Sequence, residues 1–167
     1  MYEIAVKLDG IVPFMMHRFA VKDPNKKPSN KDKETQTLQT MCHMDEVGLF
    51  VPALNLRMLM IGTSKRKGAA SIYGNEIEKR KGPMFVSLCE AYLWPRGNEK
   101  ADRVYFQPNR PTWDAVDERS YITSTGGRDV TRRPIICPPW SLSFTISVVD
   151  ESLKAEILRK MYDLAGL

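Results

Sequence analysis

The chain has 167 residues, with a charged fraction of 27% and a hydrophobic fraction of 43%, values that are typical of a globular protein with a real core and exclude a disordered chain. Its net charge of +5 at pH 7 and its sequence pI of about 9.1 favour an acidic partner such as a nucleic acid. No apolar run approaches membrane-spanning length and no signal peptide precedes the first strand pattern. We therefore predict a cytoplasmic protein with no membrane partner.

The first half of the chain predicts a strand, a long loop, a second strand and a helix. Apolar and polar residues alternate over 2–8, which is typical of a half-buried strand. Residues 21–46 are largely polar and lysine-rich, and we interpret them as a long loop insertion. A short strand over 47–51 leads into a helix that follows Pro52. The apolar face of this helix is predicted to contain Leu54, Met58 and Ile61.

The second half predicts three more strands. The run 84–93 is β-prone and predicts a strand. A turn is predicted at 94–98, and residues 103–107 are the predicted hairpin partner of that strand. Residues 108–134 contain proline and glycine breakers, and we interpret them as a second long loop insertion, mostly irregular. The strand 141–148 alternates without interruption, and its predicted core residues are Leu142, Phe144, Ile146 and Val148.

A last helix closes the sequence. Asp150 is a natural N-cap, and Gly166 a natural C-cap. The apolar stripe between them consists of Leu153, Ile157, Leu158, Met161 and Leu164. The order of elements predicts a single α+β domain over 1–167, in which two helices pack on a ferredoxin-like, RNA-recognition-like antiparallel sheet with long loop insertions.

Catalytic and metal-binding motifs are lacking in the sequence. The two histidines, His17 and His43, lie in no triad or metal motif, and the three cysteines are far apart. Cys89 and Cys137 lie in apolar surroundings, so we expect both to be buried. No phosphate-binding loop, dinucleotide fingerprint or nucleophile elbow is present. We therefore predict a protein that is not an enzyme and that needs no cofactor or metal.

Basic residues in or beside predicted loops favour a surface that binds RNA or single-stranded DNA. Guanidinium and ammonium groups can follow a phosphate backbone while aromatic rings stack on bases. The candidate aromatic contacts are Tyr121 and Trp140. The candidate phosphate contacts are Lys65, Arg66, Lys67, Lys79, Arg80, Lys81, Arg128, Arg132 and Arg133.

Structural alternatives exist for the same residues. The lysines and arginine over 65–67 would also suit a helix C-terminus, where cations interact favourably with the helix dipole. Arg132 and Arg133 could instead pair with Asp129 or Glu118 and fix their loop. Trp140 could be a core residue.

One phrase carries a resemblance to a known family. The stretch Gly48-Leu49-Phe50-Val51-Pro52-Ala53-Leu54-Asn55-Leu56-Arg57 resembles the strand-to-helix entry of the RAMP superfamily, the RNA-binding backbone and processing subunits of CRISPR effector complexes. The N-terminal strand, the insertion after it and the final strand with its helix are also similar to that family. The resemblance implies a ferredoxin core that grips an RNA backbone, with RNA contacts at Arg57, at 65–67 and at 132–133.

The family's glycine-rich loop and closing strand should follow the last helix, but the sequence stops at Leu167. We expect either a truncated chain or a stand-alone relative without that loop, and a phage- or plasmid-borne relative that mimics or intercepts such a complex would also fit. A backbone-type subunit would polymerise side by side along RNA, as a homo-oligomer or within a CRISPR-type complex.

A protein–protein interaction or self-assembly role without nucleic acid is the competing class. The nine methionines include groups at 15–16, 41–44 and 58–60, which could form an adaptable apolar surface. Filling of the core is the structural alternative for these methionines, and it is the interpretation that we favour.

Overall fold

The computed structural model describes residues 1–16, 38–63, 66–79, 81–122 and 126–165. The length of the chain predicts one domain, whereas the contacts between its residues divide it into two compact units. The first unit consists of Met1–Asp9, Val51–Gln107 and Ser141–Leu167, and the second of Gly10–Phe50 and Pro108–Trp140. No helix in the described ranges is both long and apolar enough to span a bilayer.

The described elements make an α+β protein with antiparallel strand pairs. The four α-helices are α1 (Ala53–Ile61), α2 (Ala69–Glu76), α3 (Gly82–Tyr92) and α4 (Ala155–Leu164). A 3-10 turn covers Leu38–Met41, inside the predicted loop 21–46. The strands are β1 (Tyr2–Gly10), β2 (Phe14–Met15), β3 (Phe50–Pro52), β4 (Gly62–Thr63), β5 (Arg66–Lys67), β6 (Leu93–Gly97), β7 (Arg103–Gln107), β8 (Ala115–Ile122), β9 (Arg128–Ile136) and β10 (Trp140–Val148).

A five-stranded sheet forms the framework of the first unit. Its strand order is β1-β10-β7-β3, and β6 also pairs with β10. The first residues of β10 pair antiparallel with β7, whereas the remainder pairs antiparallel with β6, from Phe144 opposite Gly97 to Val148 opposite Leu93. β10 is therefore the central strand, and β1 is the outermost strand on one side.

The alternating pattern of β10 buries one face of that sheet, as predicted. Leu142, Phe144, Ile146 and Val148 are all almost completely inaccessible to solvent. The ring of Phe144 lies edge-on to the ring of Tyr162 in α4, with 5.9 Å between the centroids. The last strand and the last helix therefore pack on one another.

The start of the last helix differs from the prediction. α4 begins at Ala155, not after Asp150. The Asp150 carboxylate accepts hydrogen bonds from the backbone N–H and the hydroxyl of Ser152, so it stabilises a turn before the helix. Leu153 is buried in that turn, and Leu158 and Met161 are buried in the helix, as predicted, but Leu164 is exposed and Tyr162 takes its place. Gly166 lies outside the described residues.

The run 84–93, predicted as a strand, is instead largely helical. Pro83 occupies the first turn of α3, where its missing N–H needs no partner. Phe85 and Cys89 are buried four residues apart, which is the helical spacing. The predicted turn at 94–98 largely belongs to β6, which begins at Leu93.

The buried face of α1 also differs from the prediction. Ala53, Leu56 and Met60 are buried, whereas Leu54 is 60% exposed. Seven of the nine residues of α1 are apolar, so no single face is marked by hydropathy. Packing selects the face, and α1 contacts β6, α2 and α3.

The second unit is built on a three-stranded sheet in the order β2-β9-β8. β8 and β9 form a long antiparallel hairpin whose register runs from Ala115 opposite Ile135 to Ile122 opposite Arg128. The prediction of a mostly irregular segment over 108–134 is therefore wrong. The alternation is hidden in the sequence because β8 is largely exposed on both faces and carries polar residues on each.

Arg110 holds the base of that hairpin. Its guanidinium forms an ion pair with Asp114 and donates hydrogen bonds to the backbone carbonyl oxygens of Cys137 (3.2 Å) and Pro139 (2.7 Å). The Asp114 carboxylate also accepts a hydrogen bond from the Cys137 N–H at 2.7 Å. The segments that precede β8 and follow β9 are thus joined by charge-assisted hydrogen bonds.

Candidate nucleic-acid interface

Arg57 and Trp94 form a stacked pair on the first unit. Arg57 lies on α1, and its guanidinium carbon is 4.1 Å from the centroid of the Trp94 ring on β6. Its Nη2 donates a hydrogen bond to the carbonyl oxygen of Glu90, in the last turn of α3, where helical carbonyls lack partners within the helix. Trp94 is 52% exposed. The pair, here named the indole surface, offers an aromatic face backed by a cation.

A two-stranded hairpin follows α1 directly. Gly62 and Thr63 of β4 pair with Lys67 and Arg66 of β5. Gly62 has a φ of +81°, and a Cβ there would lie 2.3 Å from the Gly68 backbone nitrogen, so the sharp exit from the helix requires glycine. Arg66 and Lys67 are exposed and form no ion pair with a described carboxylate.

This basic hairpin, β4–β5, holds Arg66 and Lys67 beside the end of α1 and outside the helix itself. α1 ends at Ile61 with no basic residue in its last turn, so Arg66 and Lys67 can reach that helix terminus only from the neighbouring strand β5. Their charges are available to a ligand. Lys65 lies outside the described residues.

The predicted basic cluster at 79–81 lies at the connection between α2 and α3. Lys79 is exposed and has a φ of +48°, and Lys81 immediately precedes α3. The Lys81 ammonium lies 3.4 Å from the Glu78 carboxylate, an exposed ion pair of small energetic value. Arg80 lies outside the described residues.

The β8–β9 hairpin, here named the ribbon, carries the candidates of the second unit. Tyr121 is 47% exposed near the end of β8, and Arg128 is exposed at the start of β9. Ile122 lies opposite Arg128 in the register, and Val130 opposite Ser120. Directly opposite residues share a face, so Arg128 and the exposed apolar side chains of Ile122 and Val130 lie on one face, and Tyr121 lies on the other.

Arg132 and Arg133 have local partners. The Nε of Arg132 lies 2.9 Å from the carboxylate of Glu118, its cross-strand neighbour, as in the structural alternative stated above. Arg133 is half-buried, and its Nη1 lies 3.3 Å from the sulfur of Met15 in β2. Among the predicted arginines of the ribbon, Arg128 is therefore the one that we expect to contact a ligand most directly.

Trp140 does not offer a stacking face. It is only 5% exposed, its indole N–H donates to the carbonyl oxygen of Val12 at 2.9 Å, and Phe14 packs edge-on against it at 5.4 Å. The core interpretation of Trp140 is correct because this segment folds inwards at the start of β10. Trp94 is one of the aromatic residues that accompany the basic clusters in the sequence, but it was not singled out as a contact, and it is the tryptophan with the exposed ring at the indole surface. In the sequence, Trp94 follows the long apolar run 84–93, and this position is the signal that could have pointed to it.

The cysteines and the described histidine have structural environments. Burial raises the pKa of the Cys42 thiol to about 11 and, as the largest effect, that of Cys89 to about 12. Cys137 is half-buried rather than buried. His43 lies 5.6 Å from the ring of Phe50, and His17 lies outside the described residues. Within those residues no group of three or more His, Cys, Asp or Glu side chains could hold a metal ion.

No family model, curated protein or solved structure matches the chain. Its function is therefore inferred from the surfaces described above.

Proposed function

We propose that the chain binds RNA or another single-stranded nucleic acid and catalyses no reaction on it. The observation that carries this proposal is the indole surface, in which Arg57 covers one side of a half-exposed Trp94 ring at 4.1 Å. Unpaired bases stack on such rings with little regard to sequence, and a guanidinium adds charge attraction for the phosphates beside them.

The basic hairpin lies close enough to serve the same strand. Gly62 follows Arg57 by five residues, which corresponds to about 8 Å along the axis of α1. We expect a strand whose base stacks on Trp94 to contact Arg66 and Lys67 as well. These charges bind phosphates, which sets affinity and register and carries no sequence preference.

The ribbon of the other unit supplies two further contacts, one on each of its faces. Arg128 provides a guanidinium for phosphate and Tyr121 an aromatic face. The phrase at 48–57 supports a role as a CRISPR effector backbone-like subunit, or as a phage- or plasmid-borne mimic of one, as the narrower form of this proposal.

Equilibrium binding of labelled single-stranded RNA, single-stranded DNA and duplex DNA over a range of salt concentrations tests the proposal. We expect both single strands to bind more tightly than the duplex. The logarithm of the binding constant should fall linearly with the logarithm of the salt concentration. The double variant Arg66→Glu/Lys67→Glu should flatten that slope by about two units, one for each lost phosphate contact. Retention of neither single strand at low salt would overturn the proposal.

Glu99→Lys/Glu151→Lys is the matched control, because it changes two exposed charges of the first unit outside the indole surface and the basic hairpin. Its salt slope should not decrease. If the control and the hairpin variant changed binding equally and oppositely, net charge alone would explain retention, and the hairpin assignment would fail.

A further inference from the structure

The outer edge of β1 has no neighbouring strand in the described part of the chain. β1 ends the strand order of its sheet, with β10 on its inner side. In any strand alternate backbone N–H and C=O groups point to each side, so nine residues of β1 leave a row of donors and acceptors on the outer edge. Such an edge is a template for a further strand.

A groove runs along this edge. A cavity of about 490 Å³ lies between residues 4–9 of β1 and the side of α4 that contains Ala155, Leu158, Arg159, Tyr162 and Asp163. Ile4 and Val6 face the helix side of the sheet yet remain only half-buried, whereas Leu8 is buried. The helix thus leaves part of the apolar face of β1 uncovered, at the place where an added strand would put its own side chains.

The sequence of β1 is complementary to itself when it is read in the opposite direction about Ala5. In an antiparallel pair centred on Ala5, Glu3 of each copy lies opposite Lys7 of the other, and this occurs twice. On the helix side, Ile4 lies opposite Val6, and Tyr2 opposite Leu8. The small side chain of Ala5 meets its own copy at the two-fold axis, where a large residue would collide.

Neighbouring registers lose this complementarity. A shift by one residue puts the apolar side chains of one copy on the solvent face of the other. A shift by two residues in one direction places Glu3 opposite Asp9, which is repulsive, and in the other direction Glu3 opposite Ala5, which leaves the charges unpaired. The centring on Ala5 is therefore the favoured one.

α4 has the same property. Arg159 and Asp163 both line the groove and are one helical turn apart with opposite charges. A two-fold axis that makes β1 antiparallel to its copy also makes α4 antiparallel to its copy. Two antiparallel copies of α4 present Arg159 and Asp163 in opposite order, so their charges are complementary in the same way as those of β1.

We propose that two copies of this chain pair through β1, antiparallel and centred on Ala5, to form one continuous sheet. The contact uses the same surface on both partners, so it closes into a dimer and does not extend into a filament. The proposal does not depend on nucleic-acid binding.

Existing ion pairs do not block this contact. Lys7 lies 2.9 Å from Asp9, and Glu3 lies 2.5 Å from Arg96, but each of these groups is about half exposed or more. Exposed pairs contribute little to stability and rearrange readily. Glu3 also has two carboxylate oxygens, so it can keep Arg96 while it accepts the lysine of a second copy.

Sedimentation velocity from about 1 to about 100 μM tests the proposal by mass action. We expect the wild-type chain to convert from the 19.1 kDa monomer to a dimer. Glu3→Lys and Lys7→Glu should each be monomeric, because each brings like charges together at both positions. The double variant Glu3→Lys/Lys7→Glu should dimerise again.

The mixture of the two single variants gives the sharpest result. One variant then carries two positive charges on its edge and the other two negative charges, so an equimolar mixture should form a mixed dimer although neither variant dimerises alone. Glu99→Lys is the control for charge change, and it should dimerise like the wild type. Hydrogen exchange at the β1 amides of the wild type should slow as concentration rises, which tests the edge without any substitution.

A wild-type chain that stays at the monomer mass over this range overturns the proposal, as does a dimer that survives both single substitutions. Species that grow beyond two copies would favour the side-by-side filament instead.

Discussion

The guanidinium of Arg57 lies 4.1 Å from the centroid of the Trp94 ring and also donates to the carbonyl oxygen of Glu90. One side chain therefore joins α1, the end of α3 and β6. The ring is held in place from one side and remains open to solvent on the other. An aromatic group fixed in this way loses little conformational freedom when a base stacks on it.

We predict that Trp94→Ala weakens binding of single strands about 5- to 150-fold, corresponding to the roughly 1–3 kcal/mol of one base–aromatic contact. Trp94→Phe should retain most of the affinity, because a ring remains. Fluorescence titration of labelled oligonucleotides measures both. Trp113→Phe is the matched control, since Trp113 lies at neither proposed surface, and equal losses in the Ala and Phe variants would contradict stacking.

Two arginines of the ribbon should behave differently. Arg128→Glu should flatten the log–log salt slope by about one unit, because we expect its guanidinium to contact phosphate. Arg132→Gln should alter the slope less, since Glu118 already holds Arg132 at 2.9 Å. Neither change should reduce stability by more than about 1 kcal/mol, because both side chains are exposed. Equal slopes for the two variants in the same titration would remove Arg128 from the interface.

Phe144→Ala should lower the free energy of unfolding by about 3–5 kcal/mol. Phe144 is 1% exposed and its ring packs edge-on against Tyr162, so the substitution leaves a cavity between β10 and α4. Urea titration followed by circular dichroism measures the loss. Thr145→Ala, on the opposite and half-exposed face of the same strand, should cost far less, and a comparable loss there would mean that the strand faces the other way.

Stability should fall as the pH rises from about 9 to about 12. The thiols of Cys42 and Cys89 have pKa values raised from 9.0 to about 11 and about 12 by burial, so the folded chain retains protons that the unfolded chain releases. Each thiol then lowers the free energy of unfolding by at most about 1.4 kcal/mol per pH unit in this window, with no effect below it.

Chemical unfolding at several pH values measures this dependence. In the double variant Cys42→Ala/Cys89→Ala the slope between pH 9 and 12 should be smaller than in the wild type. Identical slopes in the variant and the wild type would show that burial does not keep the two thiols protonated in this pH range.

The sequence predicted the elements whose apolar residues mark a single face. β1 and β10 alternate strictly, and the final helix has a clear stripe, so their place in the core followed from period alone. α1 and α3 were harder, because apolar residues occupy several faces of the first and the apolar run of the second also suits a strand. The ribbon was missed because solvent lies on both of its faces.

The candidate interface was predictable only in part. The sequence marks which residues are cationic, but not whether a carboxylate lies within reach. Arg132 and Arg66 both stand beside other basic residues in the sequence. In the structure Glu118 forms an ion pair with Arg132 across the strand pair, whereas no described carboxylate pairs with Arg66. The stacking of Arg57 on Trp94 joins residues that are far apart in the chain, which no local pattern reports.

The ion pair and the hydrogen bonds of Arg110 anchor the ribbon at its base. Eight residues of β8 extend about 26 Å, and the hydrogen bonds of Arg110 and Asp114 join the segment before β8 to the segment after β9 at one end of that length. The strands that carry Tyr121 and Arg128 are thus already joined at their base when the chain folds, so a ligand that contacts these side chains needs to order less of the ribbon. Arg110 lies far from Tyr121 and Arg128 in the register, yet it helps to hold together the strands that carry them.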